Sequence, residues 1–290
     1  MKRLLDAALI GNAAALGFNW VYNKPYLTEL SKTQSLVFQP VDKHHYDAAK
    51  KAFYGYPHAK VGDLSFQGDI TLWLYEALKR TPSFSRQDYL NLVYEAIKLG
   101  GHYVGYVESY GRDLVYNRLI EALKLDLEPK PINDDQMVGF APYIAAKALG
   151  LSNEVAWDLA QAFTNHTDYP KLYDLFDHIR EGLKEHTPKD SLKNHLSHVP
   201  PSYQPFVTLA LENPNTDEVI KTINTACHIN HAVPLTFHIL VHTKNYQEAI
   251  ELNTQIGGAS CDRGLLIGAL YGTQANIPQN WSETLRRKYT

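Results

Sequence analysis

The feature that most limits the fold is the spacing of apolar residues, which recur every three or four positions almost from one end of the chain to the other. Leu90, Val93 and Ile97 lie one turn apart, and Val219, Ile220, Ile223 and Cys227 repeat the pattern. So do the runs Ile70 to Leu78, Phe140 to Leu149, Val155 to Phe163, Leu172 to Leu183, Ala232 to Val241, Tyr246 to Ile256 and Leu265 to Tyr271. A half-buried strand would alternate with period two, so segments this long with this period predict helices throughout, an all-α fold. Ser85 ahead of Asp88 predicts a capping box before Leu90, and Thr216 is expected to cap the helix that carries Val219.

Helix breakers gather at Pro82, Pro129 to Asp135, Pro200-Pro201 with Pro205, Asn213 to Asn215 and Asn276 to Asn280, where loops are expected. Residues 34–64 stand out for lacking a helical period. A run of that length in a compact domain is expected to be functional, for example a lid. No repeat, low-complexity tract, polar linker or charge run divides the chain, and residues 1–290 are read as one domain.

A chain of 290 residues buries roughly three quarters of its unfolded surface and needs neither disulfide nor metal to fold. Cys227 and Cys261 therefore carry little structural burden and are expected to stay reduced. The 28 Lys and Arg against 31 Asp and Glu leave a net charge of -3, which gives no electrostatic reason for a nucleic-acid or anionic-membrane partner. No window approaches the roughly 20 apolar residues of a membrane span. Met1 to Ile10, basic at its start but broken by Asp6, reads as a helix of the fold rather than a cleaved leader, and a cytoplasmic location is expected. Oligomeric state leaves no mark in the sequence.

Two segments look suited to chemistry. In Gly62-Asp63-Leu64-Ser65-Phe66-Gln67-Gly68-Asp69, Asp69 stands where a helix begins. It reads either as an N-cap favoured by the helix dipole or, one turn ahead of Trp73, as a carboxylate turned toward the core. In the segment from Asn253 to Gly264, Asn253 falls on a buried stripe, where an amide needs partners. Gly257-Gly258 closes one helix, Ser260 or Asp262 is expected to cap the next, and Arg263 beside that cap suits an anion. The plainer reading is a glycine-capped helical hairpin with surface charges.

These segments resemble motifs of the ADP-ribosylglycohydrolase family. Gly257 to Asp262, followed by Gly264, Gly268-Ala269-Leu270 and Gly272, is similar to that family's Gly-Gly-Asp-x-Asp-Thr and the Gly-Ala-Leu-x-Gly helix after it. Gln67-Gly68-Asp69-Ile70 stands where the family has Thr-Asp-Asp-Thr, opening a helix that ends in Glu76-Ala77-Leu78. Gly11 to Gly17 resembles its opening Gly-Asp-Ala-Leu-Gly helix. The resemblance implies a single-domain orthogonal helical bundle. It also implies a site where two magnesium ions, held by those oxygens, bind ribose and position water at the anomeric carbon. Hard divalent cations need such ligands.

In this chain Gln67, Gly68, Ala259 and Cys261 replace those ligands, Asp262 replaces the threonine, and Asn12 stands where an acid is expected. Asp69 alone stays in register, so no metal cofactor is expected; a single magnesium near Asp69 and Asp262 is the weaker alternative. The departures match a divergent branch of the family. Its motifs correspond to Trp20-Val21-Tyr22, Gly62-Asp63 with Gly68-Asp69, Gly105-Tyr106-Val107-Glu108, Cys227-His228 with Ala232 and Pro234, and Gly257-Gly258-Ala259-Ser260 with Arg263-Gly264.

A glycosidic bond can be hydrolysed without metal when a carboxylate activates water and other groups stabilise the leaving group. The resemblance therefore implies a hydrolase of the N-glycosidic bond of an ADP-ribosyl or smaller ribosylated compound. Asp69 is expected to act as base, and Glu108 as acid or sugar ligand; the plainer reading of Glu108 is a solvated helix-face residue. Asp63, Asn133, Asn253, Ser260, Asp262 and Arg263 are expected to contact a small ribosyl or nucleotide ligand. The alternatives are a non-catalytic protein that binds ADP-ribose or a related nucleotide, and a different reaction in the same pocket, since a fold does not fix its chemistry. Cys227-His228 is not expected to form a nucleophile pair, because neighbours on a helix point about 100° apart. The pairs His44-His45 and His228 with His231 lack a zinc ligand set. Of the 19 tyrosines, Tyr46, Tyr54 and Tyr56 are candidates to stack on a flat base or sugar.

Overall fold

The structure, a computed structural model, describes residues 2–132 and 134–286. Its α-helices are α1 (Lys2–Ala15), α2 (Lys24–Leu30), α3 (Lys43–Ala49), α4 (Phe66–Arg80), α5 (Arg86–Ile97), α6 (Ser109–Leu123), α7 (Phe140–Ala148), α8 (Asn153–Ala160), α9 (Tyr169–Gly182), α10 (Pro188–Asn194), α11 (Gln204–Glu212), α12 (Thr216–Ile223), α13 (Ile229–Val241), α14 (Tyr246–Ile256), α15 (Ser260–Tyr271) and α16 (Gln279–Thr284). Among the described residues no strand forms, only isolated bridges between Val21 and Ala52 and between Gln136 and His228. No helix among them is long and apolar enough to cross a membrane.

Every helix indicated by the apolar period is present, and the capping box of Ser85 and Asp88 opens α5. Several expectations are corrected. Asn215, not Thr216, caps α12, because its side-chain Oδ1 accepts the N–H groups of Asp217 and Glu218. That helix stops at Ile223, where Asn224 takes a positive φ of 72°, so Cys227 leaves it. Pro205 does not mark a loop; it sits in the first turn of α11, where no N–H donor is required. Residues 34–64 are not structureless either, since Asp42 caps α3 within them. With 7 residues each, α2, α3 and α10 are too short to show a period.

The placement of the site follows from one close packing. Gly11 on α1 meets Gly264 on α15, and Ala7 meets Gly268, so the two helices run antiparallel with backbones in contact. A Cβ on any of these three glycines would strike the facing carbonyl, so only glycine admits the approach. This contact lays the start of α15 against the last turns of α1. Helix α14 packs on α15, α4 on α7, and α13 on α11. One apolar cluster extends from Leu4 to Leu285. A smaller one gathers Trp20, Tyr56, Ala259 and Cys261, with Tyr22, Tyr106 and Cys227 against it.

Candidate functional site

Two side-chain amides anchor the turns around this smaller cluster. Asn12, fully buried on α1, donates through Nδ2 to Ser65 Oγ at 2.8 Å and to the Cys261 carbonyl at 3.2 Å, while its Oδ1 accepts the Ser65 N–H at 2.9 Å. One residue thus ties α1 to the starts of α4 and α15. It also explains Gly68, because a Cβ there would lie 2.5 Å from Asn12 Oδ1. Asn19, in the turn after α1, accepts the Cys261 N–H at 3.0 Å.

Ser65 is the N-cap of α4, its Oγ accepting from the Gly68 N–H. Asp69 is therefore not the cap; it stands one turn inside the helix, 1% exposed. The cap of α15 is Ala259, and neither Ser260 nor Asp262 performs that task.

Behind α15, Asn253 and Arg263 hold each other. Asn253 donates through Nδ2 to the Ser260 carbonyl at 2.8 Å, and Arg263 Nε donates to Asn253 Oδ1 at 3.0 Å. The Arg263 guanidinium also donates to the carbonyls of Gly257, Thr225 and Asn253. Arg263 is neither a surface residue nor a free anion ligand: it is fully buried, and backbone oxygens take most of its donors. Burial pulls it down to about 10, opposed by the neighbouring Asp262. Gly257 and Gly258, at φ 75° and 67°, make the turn that presents the Gly257 carbonyl to Arg263.

The same turn positions an aromatic wall. Trp20 has a positive φ of 64°, rare for a bulky residue. It is pinned there by its own N–H donating to the Gly258 carbonyl at 2.7 Å and by Phe53 N–H donating to its carbonyl at 3.0 Å. Its ring stacks on Tyr56 (centroids 5.3 Å apart) and meets Tyr106 edge-on at 5.1 Å. Arg112 lies 5.4 Å over the Tyr106 ring and donates to its hydroxyl oxygen at 2.9 Å.

Two cavities adjoin at Tyr106. The larger, about 370 Å³, is lined by Tyr56, His58, Asp63, Asp69 and His102 among others. The smaller, about 200 Å³, is lined by Trp20, Tyr22, Phe53, Glu108, Arg112 and Cys227 among others. Glu108 opens α6 but is 3% exposed, contrary to a solvated helix face, and its carboxyl caps no backbone N–H. Burial, then Asp262 and Asp134, push it well above the ordinary carboxylate range, with Arg112 opposing. Burial likewise lifts Asp262 to about 7, with Arg263 opposing and Asp134 adding to the rise.

The structure thus brings Asp63 and Asp69 to one cavity and Glu108 to the other, with Asp262 buried next to Glu108. Asp63 accepts the Lys60 N–H at 2.8 Å and pairs with Arg286 at 3.2 Å. Asn253, Ser260 and Arg263, expected as ligand contacts, frame the turn and line neither cavity. Asn133 lies outside the described residues. Among the described residues no group of three or more His, Cys, Asp or Glu is arranged to hold a metal ion.

Cys227 sits in a loop, its thiol pushed up to about 12 by burial, while His228 turns to Asp135 at 2.7 Å. Of the three tyrosines expected to stack, Tyr56 reaches a cavity; Tyr46 and Tyr54 pack on each other, and the Tyr46 hydroxyl donates to the Asn19 carbonyl at 2.9 Å. Residue-level reasoning did not single out Phe53 or Arg112. For Trp20, Tyr22 and Tyr106 the signal was their place in the branch motifs.

A model of the ADP-ribosylglycohydrolase family matches residues 140–290, just over half of the chain, and the chain belongs to that family. The match contains the Gly257 to Gly272 motif; the Gly11 and Gln67 segments lie outside it. A solved structure described as an "ADP-ribosylglycohydrolase-related protein complex" superposes with a TM-score of 0.59 at 16% identity, over 98% of this chain and 93% of that one. That likeness establishes the fold, an all-α bundle of the ADP-ribosylglycohydrolase type. No curated protein matches the chain significantly.

Proposed function

We propose that the protein hydrolyses the N-glycosidic bond of a ribosylated compound at the junction of the two cavities, without paired magnesium. The observation that carries this reading is Glu108, a carboxyl 3% exposed at the wall of an aromatic cavity, pushed well above the ordinary carboxylate range by burial and then by Asp262 and Asp134. A protonated carboxyl beside a flat aromatic slot suits a leaving base that must gain a proton. Asp69, across Tyr106, lines the cavity that would hold the sugar and water. The water oxygen bonds to the anomeric carbon as its bond to nitrogen breaks. The departing electron pair takes the Glu108 proton, Asp69 takes one proton from the water, and solvent exchange restores both groups. Asp262 acts on Glu108 and is a positioning residue.

The donor set supports the absence of paired ions. Magnesium needs several hard oxygens, and the amide of Asn12 instead turns N–H donors toward Ser65 Oγ and the Cys261 carbonyl. Substituting Glu108→Gln and Asp69→Asn and following release of free base from a panel of N-ribosides, with magnesium and with chelator, tests the reading. Both variants are expected to lose turnover at least 100-fold while still binding ligand, and the chelator to change nothing. Unchanged turnover in Asp69→Asn defeats the mechanism. Binding without turnover in the parent protein would instead leave a non-catalytic binder.

A further inference from the structure

Away from the two cavities, the exposed apolar surface is gathered in one place. Among the described residues eight large apolar side chains are exposed, and five of them, Leu119, Leu123, Leu125, Leu127 and Ile132, lie on the second half of α6 and the segment after it. Every residue from 121 to 132 is exposed. Single exposed leucines are ordinary, but a group of five marks a surface that meets another molecule. The segment is anchored nonetheless. The Leu125 N–H donates to the Ile120 carbonyl at 3.0 Å, and the Asn117 amide donates to the Lys130 carbonyl at 2.9 Å while its oxygen accepts the Lys130 N–H at 2.7 Å. These bonds fix the exposed arm in advance, which lowers the ordering cost of docking it.

Beside the arm lies a third cavity, of about 440 Å³, lined by Leu90 of α5, Leu114 of α6, Phe163 and the carboxyls of Asp113 and Asp134. Arg118 and Glu121 also border it and face each other at 3.7 Å. Asp113 has no ion-pair partner among the described residues, and neither has Lys124. An apolar cavity with an unpaired carboxylate suits an apolar chain that carries a cation, and Leu123-Lys124-Leu125 is such a chain. The arm cannot serve its own cavity in this way, because Asp113 and Lys124 stand roughly 16 Å apart along α6 at 1.5 Å per residue.

The charges of the patch indicate which molecule covers it. Arg118, Lys124 and Lys130 are matched by Glu121, Asp126 and Glu128. A balanced patch selects neither an acidic nor a basic partner, whereas two copies of it can set each cation against a carboxylate. We propose that the occupant is a second copy of the chain. Two copies meet about a two-fold axis beside α6, each laying Leu123, Leu125 and Leu127 on the other's cavity and Lys124 against the other's Asp113. The five apolar side chains expose on the order of 400 Å², about half of the roughly 800 Å² that each partner of a standard interface buries. The cavity lining and the charged rim supply the remainder.

Sedimentation equilibrium of the full chain from about 1 to about 100 μM tests this. The parent is expected at twice its mass of 32.8 kDa. Leu125→Glu with Leu127→Glu, at exposed positions outside the core, should weaken association at least about tenfold without changing the circular dichroism spectrum. Leu99→Glu, at a fully exposed leucine outside the patch, should leave association unchanged. Asp113→Lys should weaken it, and adding Lys124→Asp should restore it, because the exchanged charges again oppose one another. A parent that stays monomeric at about 100 μM, a leucine variant paired as tightly as the parent, or a charge exchange that restores nothing overturns the inference.

Discussion

Replacing Asn12 with Asp restores the acid expected at that position and changes almost no volume, yet it reverses one hydrogen-bonding edge. Nδ2 now donates to Ser65 Oγ at 2.8 Å and to the Cys261 carbonyl at 3.2 Å. In the variant that carbonyl would face a carboxylate oxygen. A buried acceptor deprived of its donor costs about 1–3 kcal/mol, and a carboxylate shut off from water adds to that, offset in part by the Ser65 N–H and a rotated Ser65 hydroxyl. A net loss of about 3 kcal/mol follows. With unfolding entropy near 2.1 cal/mol/K per residue, 290 residues give ~0.6 kcal/mol/K, and Tm should fall by about 5 °C. Differential scanning calorimetry in chelator and in millimolar magnesium chloride measures this, with Asn12→Ala separating the lost bond from the added charge. The fall should be equal in both buffers. A variant as stable as the parent, or one that magnesium restores, would show that this pocket still accepts a cation and would sink the reading of Asn12 as a substitute for one.

Gly68→Ala should destabilise by about 1–3 kcal/mol, as overpacking does, and much less in an Asn12→Gly background; a double-mutant cycle in urea measures the coupling. Arg263→Lys loses the fork that reaches the Gly257 and Thr225 carbonyls and should cost at least about 2 kcal/mol, read from the urea midpoint. Glu108 and Asp262 are raised in the fold, so the native state keeps protons that the unfolded chain gives up. Their contribution is complete below about pH 4 and is lost as pH rises, through about 7 for Asp262 and through the raised range of Glu108. Urea midpoints between about pH 5 and 8 should therefore decline less in Asp262→Asn than in the parent. His238, lowered to about 4 by burial, has the opposite sign: its contribution is complete above about pH 6.5 and is lost on acidification, so His238→Asn should flatten the acid side.

The helices were legible because their apolar period needs no knowledge of neighbours, and the Ser85 box because both its residues lie within one turn. Asp69 shows where such reasoning stops. A carboxylate near a helix start satisfies the capping pattern, but Ser65 lies four residues earlier and its hydroxyl already meets the Gly68 N–H. Arg263 misleads for a related reason. Exposed and buried arginines look alike in sequence, and the carbonyls that hold this one come from Thr225, Asn253 and Gly257, of which only the last two are near in the chain. Glu108 stands beside Tyr106 in a motif, whereas its shift above the carboxylate range comes from burial and then from Asp262 and Asp134, which no local pattern connects to it. Trp20 sits in a Trp-x-Tyr motif, but nothing local announces that its backbone turns left-handed, donating its N–H to the Gly258 carbonyl and accepting the Phe53 N–H.

The pairing of α1 with α15 also sets a timetable. The apolar face of the first helix finds its partner backbone only when residues around 264 exist, and the bond from Asn12 to Cys261 spans 249 positions. At synthesis rates of about 5–20 residues per second, α1 waits roughly 12–50 seconds for its mate. Closing so long a loop comes late and slowly. Until α15 is made, α1 waits as an apolar helix, buried in the fold along almost its whole length, without the backbone it packs against.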